Sequence, residues 1–154
     1  MNGTRMGIEK LSPELFSEAS ILTTAHWDEC ACWKDKIKLN VDEEKYLLME
    51  ARGGADCYTL RDNGKLVGYM IILSSTHLHY KDSIFSSVDV LFIHPDYRNG
   101  LYAIRFMKYV EKAVKDKGAS VMTYHIKTFH DYPAIFERLG FVGVETIYAK
   151  NLKE

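Results

Sequence analysis

The sequence predicts a mixed α/β fold built on one central sheet. Apolar residues recur at helical spacing in the first third of the chain, and a strand pattern begins at Ala55. A strand, a helix and another strand then follow between Ser83 and Lys127, and this order predicts a parallel crossover. With 154 residues and 47% hydrophobic content, we expect a single domain covering residues 1–154.

Two helices are expected before the strand region. The first should begin at Ser12, a capping residue that Pro13 follows at the first helical position. Its apolar face is expected to contain Leu15, Ala19, Leu22 and His26. The second helix should cover Asp42 to Ala51 and end at the Gly53-Gly54 pair.

The strand region begins with a predicted hairpin. In the segment CYTLRDNGKLVGYMIIL, an Asp-Asn-Gly turn separates two apolar arms. The remaining elements should be a strand SIFSSVDVLFI, a helix from Leu101 to Lys117, a strand from Ala119 to Lys127, a short helix near Pro133 to Leu139, and a last strand from Phe141 to Lys150.

Charge and cysteine usage narrow the classes of function. The 20 basic and 21 acidic side chains give a net charge of −1, which does not favour a nucleic-acid partner. Three cysteines without CxxC spacing predict neither a disulfide framework nor a metal site, and they suit a reducing compartment. No apolar run approaches the roughly 18 to 20 residues of a membrane span, so we expect a cytoplasmic protein.

A possible anion site lies where the third strand meets the following helix, in LFIHPDYRNGLYAIRFMKYVE. The helix N-terminus offers unpaired N–H groups and a partial positive charge. Gly100 permits close approach of the backbone, and Arg98 adds a forked donor. The alternative is an ordinary solvated turn.

Two segments of the sequence resemble the GNAT superfamily of acyl-CoA-dependent N-acyltransferases. They are VLFIHPDYRNGLYA and, after the next predicted strand, FERLGF. In that family the pattern Arg/Gln-x-x-Gly-x-Gly/Ala surrounds the pyrophosphate of coenzyme A. Arg98 and Ala103 match this pattern, but Leu101 occupies the middle glycine position and the glycine lies one residue earlier, at Gly100.

Further segments are similar to a GNAT subgroup common in tailed bacteriophages, which would place the protein in the host cytoplasm. These segments are AHWDE, HLHY and HIKTFHDYPAIFERLGF, and with them the resemblance covers the chain from about Ala25 onward. The resemblance implies a twisted mixed sheet with splayed parallel strands and helices on both faces.

The resemblance also implies where acetyl-CoA, or another acyl-CoA, would bind. Backbone N–H groups of the strand before the turn should polarise the thioester carbonyl. On this chain the implied cofactor-binding residues are Leu91, Phe92, Ile93, Arg98, Asn99, Gly100, Leu101, Tyr102 and Ala103.

Asp89 is the leading candidate for the general base that deprotonates an amine acceptor. It lies amid apolar residues, where burial would raise its pKa, and strand alternation places it on the same face as Leu91 and Ile93. The alternative is a structural carboxylate held by local hydrogen bonds. His79 is a possible neighbour of Asp89 and a second candidate base.

The general acid and the acceptor pocket are less clearly marked. Many GNAT enzymes have a tyrosine that protonates the leaving thiolate at the position of Phe136, so this acid is absent here. Tyr132, Tyr124, Tyr148 or His130 could replace it, or the thiolate could leave without a dedicated acid. The resemblance and the residue chemistry together suggest His26, Glu29 and His77 for the acceptor pocket. Structural histidines, or a metal site, are the alternatives.

The combined reading is an N-acetyltransferase that transfers the acyl group directly from acyl-CoA to a primary amine, without a cysteine intermediate or a metal. The acceptor could be a small molecule or a protein. One alternative is an inactive GNAT-fold protein that binds a host protein as an inhibitor or adaptor. Another is an enzyme that acts on a modified nucleobase. A homodimer is possible because dimers are common in the superfamily.

Overall fold

The computed structural model describes residues 3–99, 101–130 and 133–153. Within them, five strands form one sheet in sequence order: Thr4–Glu9 (β1), Ala55–Asp62 (β2), Lys65–His77 (β3), Tyr80–Ile93 (β4) and Ala119–Thr123 (β5). Four α-helices accompany them: Pro13–Cys30 (α1), Glu43–Ala51 (α2), Tyr102–Asp116 (α3) and Pro133–Arg138 (α4). Single 3-10 turns cover Pro95–Tyr97 and Thr128–His130.

Neighbouring strands run antiparallel except for β4 and β5, which are parallel and joined by α3. The predicted mixed α/β class is therefore confirmed. In the part of the chain that is described, no helix combines the length and the apolar character needed to cross a membrane.

Local sequence signals set the boundaries of several elements as predicted. The Ser12 hydroxyl accepts a hydrogen bond from the Leu15 N–H at the start of α1, and Asp42 caps α2 in the same way. The β2–β3 hairpin turns at Asn63 and Gly64, whose φ angles of 48° and 85° are both left-handed. This is the backbone geometry that an Asn-Gly pair favours in a two-residue hairpin.

The sheet separates two apolar layers. On one face α3 and α4 cover a cluster that includes Tyr58, Leu60, Met70, Ile72, Val88, Phe106 and Val110. On the other face α1 and α2 cover Leu15, Leu22, Cys57, Tyr69, Ile71 and Phe92. The alternation of neighbouring residues between the two clusters is the period-two pattern of a sheet that is buried on both sides.

A β-bulge interrupts this alternation in β4. Val88 pairs with Ile72 and Val90 pairs with Ile71, so Asp89 is an extra residue between two consecutive pairs. Val90 consequently faces the α1–α2 side together with Asp89. The prediction that Asp89 shares a face with Leu91 and Ile93 is wrong, because those two residues pack on the α3 side.

The parallel strands β4 and β5 pair over only part of their length. The pairs run from Ile84 with Ala119 to Ser87 with Thr123. Residues 88–93 of β4 continue beyond the end of β5, so one edge of β4 is open there. Pairing between the two parallel strands therefore stops at Ser87, in the part of β4 that precedes the predicted cofactor-binding residues.

Three predicted features of the strands need correction. Strand β1 was missed, since its six residues contain few strand formers and depend on pairing with β2. Strand β5 ends at Thr123 instead of Lys127. No strand forms over 141–150, because no described strand pairs with that segment, and Val142 and Tyr148 are 78% and 93% exposed.

Arg61 of β2 forms ion pairs with residues of β1 and α1 beside the β2–β3 turn. Its guanidinium contacts Glu9 of β1 at 2.6 Å and Glu18 of α1 at 2.7 Å. Arg61 donates two hydrogen bonds to Glu9, and Thr59 donates a third at 2.5 Å. Hydrogen bonds from Arg61 are the largest influence on both carboxyl groups and hold the pKa of each below its usual range.

We predict that Arg61→Met lowers the free energy of unfolding by about 2 kcal/mol at neutral pH, the scale of lost hydrogen bonds between charged groups. Glu9 and Glu18 have lowered pKa values when folded, so their contribution is present above the usual glutamate pKa. It is lost as the pH falls through the lowered values. The difference between the variant and the unaltered protein should therefore shrink in acid.

Urea denaturation followed by circular dichroism at several pH values measures this difference. Lys112→Met is the matched control, because Lys112 forms an exposed ion pair with Asp116 that should contribute less than about 0.5 kcal/mol. Equal destabilisation by the two variants would contradict the assigned role of Arg61.

Candidate active site

A cleft of about 890 Å³ lies between the sheet and the helices α1 and α2. The loop that joins the two helices forms part of its wall through residues 39–41. Its lining is mainly apolar and aromatic, and it includes Phe16, His26, Trp27, Tyr46, Met49, Tyr69 and Ile71. Asp89 and Val90 of the bulge lie at the sheet side of the same cleft. A concave apolar site with a few polar groups is typical of a small-molecule pocket.

The bulge presents the Asp89 carboxylate to this cleft. Asp89 is exposed, so the expectation of a buried carboxylate is wrong. The Tyr46 hydroxyl of α2 donates a hydrogen bond to its Oδ2 atom. Burial, followed by the hydrogen bond to Asp89, raises the pKa of Tyr46. Tyr46 therefore keeps its proton at neutral pH and orients one carboxylate oxygen of Asp89.

His26 lies on the cleft wall as predicted for an acceptor-pocket residue. Its ring stacks on Phe92 with centroids 5.2 Å apart, and its Nδ1 atom is 3.1 Å from the Tyr69 hydroxyl. Burial lowers the pKa of His26 and raises the pKa of Tyr69 to about 12. Both groups are therefore uncharged at neutral pH.

Arg98 and Glu29 form a bidentate ion pair between the end of α1 and the turn before α3. The two guanidinium nitrogens lie 2.8 and 2.7 Å from the carboxylate oxygens of Glu29. The Arg98 Nε donates to the Ile93 carbonyl at 2.7 Å, and the guanidinium carbon lies 5.2 Å from the centroid of the Phe92 ring. Glu29, predicted for the acceptor pocket, binds Arg98 and is not among the residues that line this cleft, and its role in acceptor binding stays a prediction.

Two backbone N–H groups of β4 face the open edge beside β5. The His94 N–H donates to the Val67 carbonyl at 2.8 Å, so it points toward β3. Direction alternates along a strand, and the N–H groups of Leu91 and Ile93 therefore point away from β3. The N–H group of Phe92, the third predicted donor, points toward β3.

The N-terminus of α3 lies just beyond this edge. Leu101 is its N-cap and makes no side-chain capping hydrogen bond within the described residues. The first intrahelical bond runs from the Arg105 N–H to the Leu101 carbonyl, so the N–H groups of 102–104 have no partner within the helix. Asn99 and Leu101 are exposed, and Tyr102 and Ala103 are half-buried. Gly100 is outside the described residues.

His77 and His79 lie far from Asp89. They occupy the end of the β3–β4 hairpin, where the His79 N–H donates to the His77 Nδ1 atom at 3.1 Å. Tyr80, which pairs with His77, is nine residues from Asp89 along β4, or roughly 30 Å of strand. The structure therefore does not bring His79 beside Asp89 or His77 to the cleft, and a functional role for either residue stays a prediction.

The candidate acid cannot be placed, because Tyr132 lies outside the described residues. Phe136, at the position where many relatives have tyrosine, packs against Tyr124 with ring centroids 5.1 Å apart. Burial raises the pKa of Tyr124, which makes it a poor proton donor. In the described ranges, no group of three or more His, Cys, Asp or Glu side chains is arranged to hold a metal ion.

The cysteines near the cleft are not activated nucleophiles. Cys30 and Cys57 both line the cleft. Burial raises the pKa of Cys30, and it raises the pKa of Cys57 to about 12. Because the thiolate is the reactive form, neither side chain has the environment of a catalytic cysteine.

Tyr46 and Tyr69 are polar residues of the site that sequence reasoning missed. Tyr46 is one of several polar residues in α2, and Tyr69 occupies a position in a strongly apolar strand. Each contacts a partner 43 residues away in sequence, Asp89 and His26 respectively. No local pattern marks such long-range pairs.

Residues 19–141 match the family model described as the acetyltransferase (GNAT) family. The chain belongs to this family. Solved structures confirm the GNAT fold, whereas a search of curated proteins found no significant match. The resemblance to a bacteriophage subgroup stays a prediction.

Several solved structures share this GNAT fold at low sequence identity. A ribosomal-protein-alanine N-acetyltransferase from Brucella melitensis biovar Abortus 2308 is 14% identical, with a TM-score of 0.71 and coverage of 97% of this chain and 99% of the other. An aminoglycoside acetyltransferase from an uncultured soil metagenomic sample, in complex with sisomicin, is 12% identical, with a TM-score of 0.76 and coverage of 99% and 98%. A predicted acetyltransferase with acetyl-CoA from Clostridium acetobutylicum is 12% identical, with a TM-score of 0.71 and coverage of 97% and 96%.

Proposed function

We propose that this GNAT protein transfers an acetyl group from acetyl-CoA to the primary amine of a small molecule. One observation carries the proposal: the bulge in β4 places Asp89 in the cleft immediately before the segment whose N–H groups face the open strand edge. An amine bound in the cleft and a thioester bound along that edge would meet at this point. A neighbour solved with sisomicin and another solved with acetyl-CoA support an amine acceptor and an acetyl-CoA donor.

Acetyl-CoA would lie along the open edge of β4 with its pyrophosphate at the start of α3. The first N–H groups of that helix have no partner within the helix and favour an anion, and Arg98 lies in the turn that precedes them. Contacts with Glu29 and Ile93 use three of the five N–H donors of Arg98 among the described residues, which leaves two for a phosphate oxygen. The N–H groups of Leu91 and Ile93 would hold the thioester carbonyl.

The reaction would proceed by direct attack of the amine on the thioester carbon. A new C–N bond forms, the carbonyl oxygen gains negative charge, and the Leu91 and Ile93 N–H groups stabilise that charge. Asp89 attracts the ammonium form and accepts its proton, directly or through one water. The C–S bond then breaks, and the thiolate of coenzyme A takes up a proton from Tyr132 or from solvent.

We predict that Asp89→Asn lowers kcat by about 100-fold and leaves the affinity for acetyl-CoA unchanged, because the amide keeps the shape but cannot accept the proton. Release of the coenzyme A thiol measures kcat, and calorimetry measures affinity. Asp82→Asn is the matched control, since Asp82 is an exposed carboxylate at the other end of the same strand. Full activity of Asp89→Asn across about pH 6 to 9 would show that Asp89 is structural.

Arg98, in the turn before α3, is predicted to bind the pyrophosphate of acetyl-CoA. Arg98→Ala should weaken acetyl-CoA binding by about tenfold, because a charge-assisted hydrogen bond is lost. Glu29→Gln should not weaken binding, since it removes the negative charge that competes for the guanidinium. Arg52→Ala, at an exposed position after α2, is the control in the same calorimetric titration.

Equal weakening by Arg98→Ala and Glu29→Gln would contradict the phosphate role of Arg98. The ion pair would then act only by holding the end of α1 against the turn. Failure of the unaltered protein to bind acetyl-CoA would reject the enzymatic proposal and favour an inactive adaptor.

We also propose that two copies of the chain form a homodimer. The support is the segment 141–153, whose apolar side chains are exposed, together with β5, which is an edge strand of the described sheet. In a symmetric pair, the segment of each copy could cover the strand edge of the other.

Sedimentation of the purified protein is expected to show a dimer, and Val144→Asp should shift it toward monomer. Leu78→Asp is the control, because Leu78 is 97% exposed in the distant β3–β4 hairpin. A monomer at all concentrations would reject the proposal.

A further inference from the structure

The lining of the cleft restricts the chemical class of the amine acceptor, and this inference rests on the proposed function. Aromatic and aliphatic side chains from α1, α2 and the sheet form most of the wall. Phe16 and Tyr46 pack with ring centroids 6.1 Å apart, and Tyr46 in turn holds Asp89. The surface next to the carboxylate is therefore aromatic.

The charged side chains of the cleft favour an acceptor that carries a single positive charge. Three carboxylates and two ammonium groups line it, which gives a net charge of −1: Asp42, Glu43, Asp89, Lys45 and Lys127. Asp42 already accepts the Lys45 N–H as the cap of α2. An acceptor with several ammonium groups would find few carboxylates and two repelling lysines.

The apolar surface continues from the cleft onto the α1–α2 loop. Leu39 and Val41 line the cleft and are still 40% and 36% exposed. Large exposed apolar side chains grouped around a cleft indicate a surface that binds an apolar partner. The body of an acceptor could contact both the wall and the loop.

We propose that the acceptor is a small primary amine carried on an apolar or aromatic body. Its ammonium group contacts Asp89, and its body lies against Phe16, Tyr46 and Leu39. The cleft volume of about 890 Å³ is within the range of small-molecule pockets. Apolar contact with the walls then contributes most of the discrimination between amines.

The test compares several amines as acceptors for the purified protein with acetyl-CoA, and release of the coenzyme A thiol measures the rate. The probes are 2-phenylethylamine, hexylamine, ethanolamine, spermidine and kanamycin. We expect kcat/KM for 2-phenylethylamine and hexylamine to exceed that for the other three by at least about tenfold, because a few buried methylene groups have an effect of this size.

A pair of variants on the α1–α2 loop tests the proposed contact between Leu39 and the body of the acceptor. Leu39→Gln should raise the KM for 2-phenylethylamine several-fold and leave the affinity for acetyl-CoA and the KM for ethanolamine unchanged. Ile37→Gln is the matched control, because Ile37 is 49% exposed on the same loop but does not line the cleft. Both positions are exposed, so neither change should prevent folding.

The outcomes distinguish a failure of the apolar-amine inference from a failure of the proposed acetyltransferase function. A protein that binds acetyl-CoA but prefers spermidine, kanamycin or ethanolamine overturns the inference and leaves the proposed function intact. The same holds if it acetylates no apolar amine, or if Leu39→Gln has no more effect than Ile37→Gln. A protein that binds no acetyl-CoA overturns the proposed function and this inference with it.

Discussion

The extra residue in β4 controls which side chains reach each face of the sheet. Val88 faces the α3 side, so alternation directs the next residue, Asp89, toward the α1–α2 side, where it lines the cleft. Without the extra residue, Leu91 and Ile93 would share that side with Asp89, and Val90 would face α3. The bulge resets the alternation, so Val90 lies on the same side as Asp89 while Leu91 and Ile93 pack on the α3 side. The carboxylate thus lies outside the buried α3-side cluster, where it would carry a large desolvation cost.

The bulge also lies close to the point where the two parallel strands separate. Pairing between β4 and β5 ends at Ser87, and the extra residue follows at Asp89. The same stretch of β4 therefore has an open edge for hydrogen bonding and an open face toward the cleft. The ion pair of Arg98 with Glu29 joins the two regions, since α1 forms the cleft and the Arg98 turn precedes α3. Movement of the end of α1 would thus be transmitted to the turn.

The parts of the fold that depend on nearby residues could be predicted from the sequence, and the parts that depend on strand pairing could not. The Ser12 cap and the Asn63-Gly64 turn are local signals, and both formed as expected. The bulge at Asp89 is visible only once the register with β3 is known, so period-two reasoning assigned the wrong face. The family resemblance located the turn at Arg98, but its partner Glu29 is 69 residues away and no sequence pattern links them.

Helix α2 contributes a hydrogen-bond donor to the candidate site, because Tyr46 contacts Asp89. Tyr46 keeps its proton, because burial and the neighbouring carboxylate raise its pKa, and it donates to Oδ2 of Asp89. A carboxylate has two oxygens, so this bond restricts the orientation of the group and leaves Oδ1 for the ammonium of the proposed acceptor. The arrangement depends on two elements that are separate in sequence, since the bulge supplies the hydrogen-bond acceptor and α2 supplies the donor. Under the proposed function, substrate recognition would therefore depend on the packing of α2 on the sheet as well as on Asp89.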